Sequence, residues 1–126
     1  MVTAILLVGV GGFAGSVLRY LLSRWVHEIT KSPFFPYGTL TVNVAGCLCI
    51  GFLDGLVETR QLLSPQVRML LLVGFMGGFT TFSSFGYETI ALARDGELLA
   101  ALANIALQLV LGLGAVWVGY SLAKVV

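Results

Sequence analysis

Charge is what this chain most lacks. Only 10% of its 126 residues are Asp, Glu, Lys or Arg, against about 25% in soluble domains. With 58% of its residues hydrophobic, it has too little polar surface to stay in water, which excludes a soluble globular protein and points to an integral membrane protein. Seven basic and six acidic residues give a net charge of +1. That leaves no basic stripe, so nucleic acid is not expected as a partner. The single histidine, His27, and the two cysteines, Cys47 and Cys49, leave no cluster with metal-ligand spacing. The cysteines stand as C-x-C, and residues two apart on a helix point about 200° from each other, which suits apolar packing rather than a bridge. No nucleophile has a base beside it in the sequence, so enzymatic chemistry is not expected. No basic segment or cleavage site marks a removable leader, and Val2–Leu18 reads as a retained first span.

What is present is four uncharged stretches, Val2–Leu18, Ser32–Leu53, Met69–Tyr87 and Leu98–Ala123. Each is near or above the roughly 18–20 residues that a spanning helix requires. Length allows one domain, 1–126. The connections carry nearly all the ionisable groups: "RYLLSRWVHEITK", "DGLVETRQLLSPQVR" and "ETIALARDGE". Pro33 and Pro36 bar a helix before the second span, Ser64-Pro65 reads as an N-cap and first-turn proline, and Asp95-Gly96 marks the turn into the fourth. Four spans place both termini on one side. That face then receives Arg60, Arg68 and Lys124, and the opposite face Arg19, Arg24, Lys31 and Arg94. Three against four is almost no orientation signal, so the chain is expected to insert both ways and to pair as an antiparallel homodimer. Small residues four apart, at Gly11/Gly15, Gly51/Gly55 and Gly74/Gly78, let helices approach closely. "GVGGFA" (Gly9–Ala14) matches a dinucleotide fingerprint only in letters, because it lies inside a span and lacks the strand that fingerprint needs.

The third span is written in an unusual alphabet. "GFMGGFTTFSSF" (Gly74–Phe85) places glycines, hydroxyls and phenylalanines where the bilayer is driest. Gly77-Gly78 followed by Phe79-Thr80-Thr81 is poor helix, and a break at membrane depth is tolerated only where it is buried in protein or lines a cavity. Carbonyls freed by such a break can hold a cation. Phe82 and Phe85 share a face, and Thr81 and Ser84 form a polar stripe beside it. An anion would meet the positive edges of the rings, whereas a cation would prefer their faces. Aromatic filler with hydroxyls bonded back to the helix is the plainer alternative. Asn43, in the apolar "GTLTVNVAGC", is either an amide that joins helices or a pore-lining donor, and Thr39 lies one turn before it on the same face. Glu88 sits just past the uncharged run, as a functional acid or an ordinary interfacial one. Arg19 ends the first span, and either snorkels to the headgroups or raises the potential at an anion vestibule.

Three blocks, "GGFAGSVLRY", "YGTLTVNVAGC" and "GFMGGFTTFSSFGYET", occur in an order and spacing that resemble the CrcB/Fluc fluoride channels over the whole chain. The resemblance implies an all-α membrane fold of four transmembrane helices with a break in the third, paired as a dual-topology antiparallel homodimer in the cell inner membrane. It implies a passive, fluoride-selective channel that exports cytoplasmic fluoride, with two fluoride pathways and a structural sodium ion at the dimer interface. Backbone carbonyls of Gly77 and Thr80 would hold the sodium. Phe82 and Phe85 would present ring edges to fluoride, Asn43 would be the pore amide, and Thr39, Ser83 and Ser84 would be polar donors. Thr81, Glu88 and Arg19 match recurring positions. Two departures stand out. Ser84 replaces the second threonine of the usual T-T-F-S-T-F, and Leu111-Gly112 replaces a Gly-Ser pair in the fourth span. Asn104 and Gln108 share a face there and could compensate for the missing hydroxyl.

Two rival readings remain at this stage. A small proton-coupled multidrug exporter would need a membrane-embedded carboxylate, and the first span contains none. A non-transporting membrane assembly subunit would tolerate conservative replacement of Asn43 and the two phenylalanines.

Overall fold

The computed structural model describes residues 1–126, and they are helical throughout with no strand. Helix α1 (Val2–Thr30) is followed by α2 (Tyr37–Arg60). The third span is built in pieces: α3 (Pro65–Arg68), a π-helical segment (Met69–Met76), α4 (Gly77–Phe79) and α5 (Phe82–Arg94). Helix α6 (Leu98–Val125) completes the chain. The four helical units Val2–Thr30, Tyr37–Arg60, Pro65–Arg94 and Leu98–Val125 are each long and apolar enough to cross a membrane. The expected four-span all-α architecture with a broken third helix is therefore the observed one.

Local chemistry explains most of the boundaries. Helix α2 starts directly after Pro36. Ser64 caps α3 by accepting from Val67 N at 3.3 Å, with Pro65 in the first turn. Gly96, at φ +84, makes the turn between α5 and α6. The expected end of the first span is corrected. Helix α1 does not stop at Leu18 but runs on to Thr30, through the stretch read as a connection. Charged residues end an apolar run without ending a helix, and Arg24 Nε to Glu28 Oε1 at 2.9 Å is an i,i+4 pair that favours it. At 1.5 Å per residue α1 is roughly 43 Å long, more than the roughly 30 Å hydrocarbon core. Its polar end reaches into the headgroup layer.

Only 21 of 126 residues are buried, and large apolar side chains such as Phe13, Trp25, Leu99 and Trp117 point outward. That inside-out distribution requires lipid around the molecule. Within it, helix α1 packs on the π segment and α4, α2 packs on α6, and α5 packs on α6. Glycine makes two of these contacts backbone-close. A Cβ at Gly15 would collide with Phe75 O, and one at Gly119 with Leu48 O. The small buried core of Val42, Met76 and Phe79, flanked by Leu22, Ala45, Leu53 and Phe75, lies where α1, α2 and the third span meet. It abuts the break in the third helix.

Candidate functional site

The break falls inside the expected weak stretch Gly77–Thr81, at its threonine end. Gly77–Phe79 stay helical, and the chain is extended at Thr80 (φ −84, ψ 159) and Thr81 (φ −152, ψ 111). Weak helix propensity permits the break, and Asn43 on α2 holds it. Thr81 N donates to Asn43 Oδ1 at 2.8 Å, and Asn43 Nδ2 donates to Thr81 O at 3.0 Å. The side-chain amide thereby pairs both backbone groups of Thr81, which would otherwise be unsatisfied at membrane depth. The upstream stump closes on itself, with Thr80 N and Thr80 Oγ1 both donating to Met76 O at 3.0 Å. The downstream stump is capped by Thr81, whose Oγ1 accepts from Ser84 N at 3.1 Å and donates to Ser84 Oγ at 3.0 Å.

The interruption strips carbonyls of their helical donors. Thr81 N, which a continuous helix would bring to Gly77 O, is held by Asn43 instead. Helix α1 reaches two of the neighbours: Ser16 Oγ donates to Gly78 O and an Arg19 guanidinium N–H to Thr80 O, each at 3.4 Å. Arg19 therefore lies beside the break rather than at a distant membrane surface.

Two cavities flank the break. A polar cleft of about 550 Å³ between α1, α2 and α5 is lined by Arg19, Arg24, His27, Thr39, Ser84 and Glu88, among others. A second cavity of about 340 Å³ is lined by Asn43, Cys47, Phe82, Phe85 and Gln108, with Thr80 and Thr81. Thr81 lines both, so the extended residue of the break is also the wall between them. In the cleft, Thr39 Oγ1 donates to Glu88 Oε1 at 2.7 Å, while Glu88 Oε2 is buried without a protein donor. In the second cavity the rings of Phe82 and Phe85 pack edge to face, 5.4 Å between centroids and 63° between planes. Phe82 is 81% exposed although it is the first residue of α5, so its ring is held by little besides Phe85.

The structure thus brings Asn43, Phe82 and Phe85 to one cavity, and Arg19, Thr39, Ser84 and Glu88 to the other. Ser83 and Gly77 line neither and are exposed, although Ser83 Oγ lies 3.3 Å from Thr81 Oγ1. In the fourth span, Gln108 Oε1 accepts from Asn43 Nδ2 at 3.1 Å, whereas Asn104 is directed elsewhere, its Nδ2 donating to Thr89 Oγ1 at 2.9 Å. Ser16, Ser23, Arg24 and His27, all on the cleft wall, escaped the sequence reading. With Arg19 and Tyr20 they repeat at three- and four-residue intervals, the mark of one helix face, which only a helix continued past Leu18 brings together.

Four apolar spans around a broken third helix, with a cavity on either side of the break, define a small multi-pass membrane protein. The sequence matches the family described as CrcB-like protein, Camphor Resistance (CrcB), over residues 6–120. It is 49% identical over 120 residues to a protein of Chlorobium chlorochromatii, covering 95% of this chain and 92% of that one. A protein of Chlorobaculum tepidum is 49% identical over 124 residues, covering 95% and 94%, and one of Chlorobium phaeobacteroides is 46% identical over 121 residues, covering 96% and 93%. Each of the three is named a fluoride-specific ion channel, FluC. The chain belongs to the CrcB family.

Proposed function

We propose that this chain is a passive, fluoride-selective channel of the inner membrane, a single four-helix domain that works as an antiparallel homodimer. It is a transporter, not an enzyme, as its family is. The observation that carries the reading is the pair of cavities meeting at Thr81, one polar and flanked by Arg19, the other walled by Phe82 and Phe85. Burying a bare anion in an apolar medium costs tens of kcal/mol in the Born picture. A pore must replace water with donors at each step and still release the ion. Arg19, which has no acidic partner, raises the potential of the cleft and draws anions in. Thr39, Ser84 and Thr81 supply hydroxyls along the way, with Ser83 reaching them only through Thr81. The edges of Phe82 and Phe85 face the dehydrated ion, and Asn43 stands in the wall of the aromatic cavity. Glu88, bonded to Thr39, sets how tightly that hydroxyl is held. Fluoride, the smallest halide and the strongest acceptor, suits so narrow a track. No energy source is needed, because an anion gains about 2.3 kcal/mol per 100 mV on leaving an inside-negative cell.

A structural sodium ion fits the same break. Gly77 O has lost its helical donor and Gly77 is exposed, while Thr80 O accepts one long bond from Arg19 and keeps a lone pair. Backbone carbonyls at a helix interruption suit a hard monovalent cation. Gly77 and Thr80 of both subunits would hold it, and the ion would join the two breaks at the dimer interface.

The test is resistance. Expressed in a fluoride-hypersensitive bacterium without its own exporter, the wild-type chain restores growth in fluoride and the Asn43→Asp variant does not. Equal growth with and without the chain, despite its presence in the membrane, would contradict the proposal. Near-zero charge bias motivates the antiparallel pairing. Cysteine accessibility at both ends of a single-cysteine protein tests it, with labelling from both sides expected.

A further inference from the structure

The carboxamides of Asn43 and Gln108 form a chain whose polarity is fixed from one end. A backbone N–H can only donate, so the Asn43 atom facing Thr81 N at 2.8 Å is its oxygen. The other atom is then Nδ2, and its two protons go to Thr81 O at 3.0 Å and to Gln108 at 3.1 Å. Because Nδ2 donates, the Gln108 atom it meets is Oε1. Gln108 Nε2 is left buried and without a protein acceptor. Asn43 therefore has no free donor, and the amide next to it has two.

Gln108 lines the same cavity as Phe82 and Phe85. Its Nε2 is shielded from water, and a buried unpaired donor costs about 1–3 kcal/mol. Such a donor is offset by an acceptor that arrives dehydrated. Its neighbour one turn earlier does not compete, since Asn104 Nδ2 is committed to Thr89 Oγ1 at 2.9 Å. Resting on the fluoride-channel reading above, we propose that Gln108 Nε2 is the amide donor to fluoride in the aromatic cavity, and that Asn43 is the positioning residue that holds it there. Orientation passes from the backbone of Thr81 to Asn43 and from Asn43 to Gln108. The break in the third helix thereby aims a donor carried by the fourth. An acceptor as small as fluoride enters between ring edges and reaches Nε2 at hydrogen-bond distance, and the larger chloride is held off by the same rings.

Spectroscopy tests this directly. The chain has three glutamines, Gln61, Gln66 and Gln108, and the first two lie at the α2–α3 connection as internal controls. With 15N-glutamine-labelled wild-type protein in lipid nanodiscs, sodium fluoride is expected to shift the Gln108 Nε2 protons saturably. Sodium chloride at the same concentration leaves them in place, and Gln61 and Gln66 do not move. Flux through two variants gives an independent check. Gln108→Glu keeps the acceptor for Asn43 but removes the donor, and fluoride efflux falls about 100-fold, the usual loss for a single anion-stabilising donor. Gln108→Met releases Asn43 Nδ2 to donate in its place, so the loss is smaller, about tenfold. A Gln108 amide unmoved by fluoride in protein that conducts it overturns the donor assignment alone, as does a Met variant that loses as much as the Glu variant. Wild-type protein that carries no fluoride overturns the channel reading and this assignment with it.

Discussion

Glycine has opposite results in two regions of this molecule. Helices α2 and α6 carry Gly46, Gly51, Gly55, Gly112, Gly114 and Gly119 and still run unbroken for 24 and 28 residues. The third span carries Gly74, Gly77 and Gly78 and comes apart just beyond them. Glycine alone therefore does not break a membrane helix, since the lost hydrogen bonds have no water to replace them. At the α2–α6 seam the glycines only bring backbones together, with Gly51 against Val116 O and Gly119 against Leu48 O. At the third span an amide on a neighbouring helix offers Thr81 a substitute for both of its backbone bonds. The seam is structural, and the break is where the two cavities meet.

That contrast can be broken at its hinge. Asn43→Leu leaves Thr81 N and O buried without partners, at about 1–3 kcal/mol each. We expect most of the protein to be lost from the monodisperse peak in size-exclusion chromatography, and the remainder to conduct fluoride at least about 100-fold more slowly. Full recovery of folded, conducting protein would mean that the break holds itself. Next in size is Phe82→Ile. The ring is 81% exposed, so the fold survives with unchanged thermal stability, while loss of the ring edge lowers fluoride efflux by more than about tenfold. A stability loss that outweighs the flux loss would make Phe82 a packing residue.

The seam answers in the other currency. Gly119→Val forces a side chain into Leu48 O and costs about 1–3 kcal/mol of stability by overpacking, measured as a lower thermal midpoint in detergent. Flux per folded molecule stays within about twofold of wild type, because α6 meets the path at Gln108 and not at Gly119. The smallest effect is expected for Thr39→Val. It removes the 2.7 Å bond to Glu88 and slows efflux by about three- to tenfold, in proportion to one hydrogen bond of about 1 kcal/mol. Unaltered efflux would place Thr39 outside the path.

What could be read from the sequence follows from how local its causes are. Pro36, Ser64-Pro65 and Asp95-Gly96 set boundaries through their own backbone chemistry, and the structure uses each of them as expected. The helix ends at Lys31 and Gln61 adopt the left-handed conformation at φ 47 and φ 51 without a glycine to announce it. No residue pattern marks the widened helix at Met69–Met76 either. The sequence marked Gly77–Thr81 as the weak stretch, and the structure breaks it at the threonine end, at Thr80 and Thr81. The position is decided by Asn43, 38 residues away, which local propensity cannot register. In the same way Asn43 was legible as a polar residue of interest. That its amide is saturated by Thr81 and Gln108 is a tertiary fact, and so is the arrival of Arg19 at the carbonyl of Thr80.

The most direct test of the account is ion efflux from liposomes containing the purified wild-type protein, with fluoride and chloride compared under a potassium and valinomycin potential. The account predicts rapid fluoride efflux with chloride held back. Well-folded protein that releases neither ion, or both alike, would contradict it.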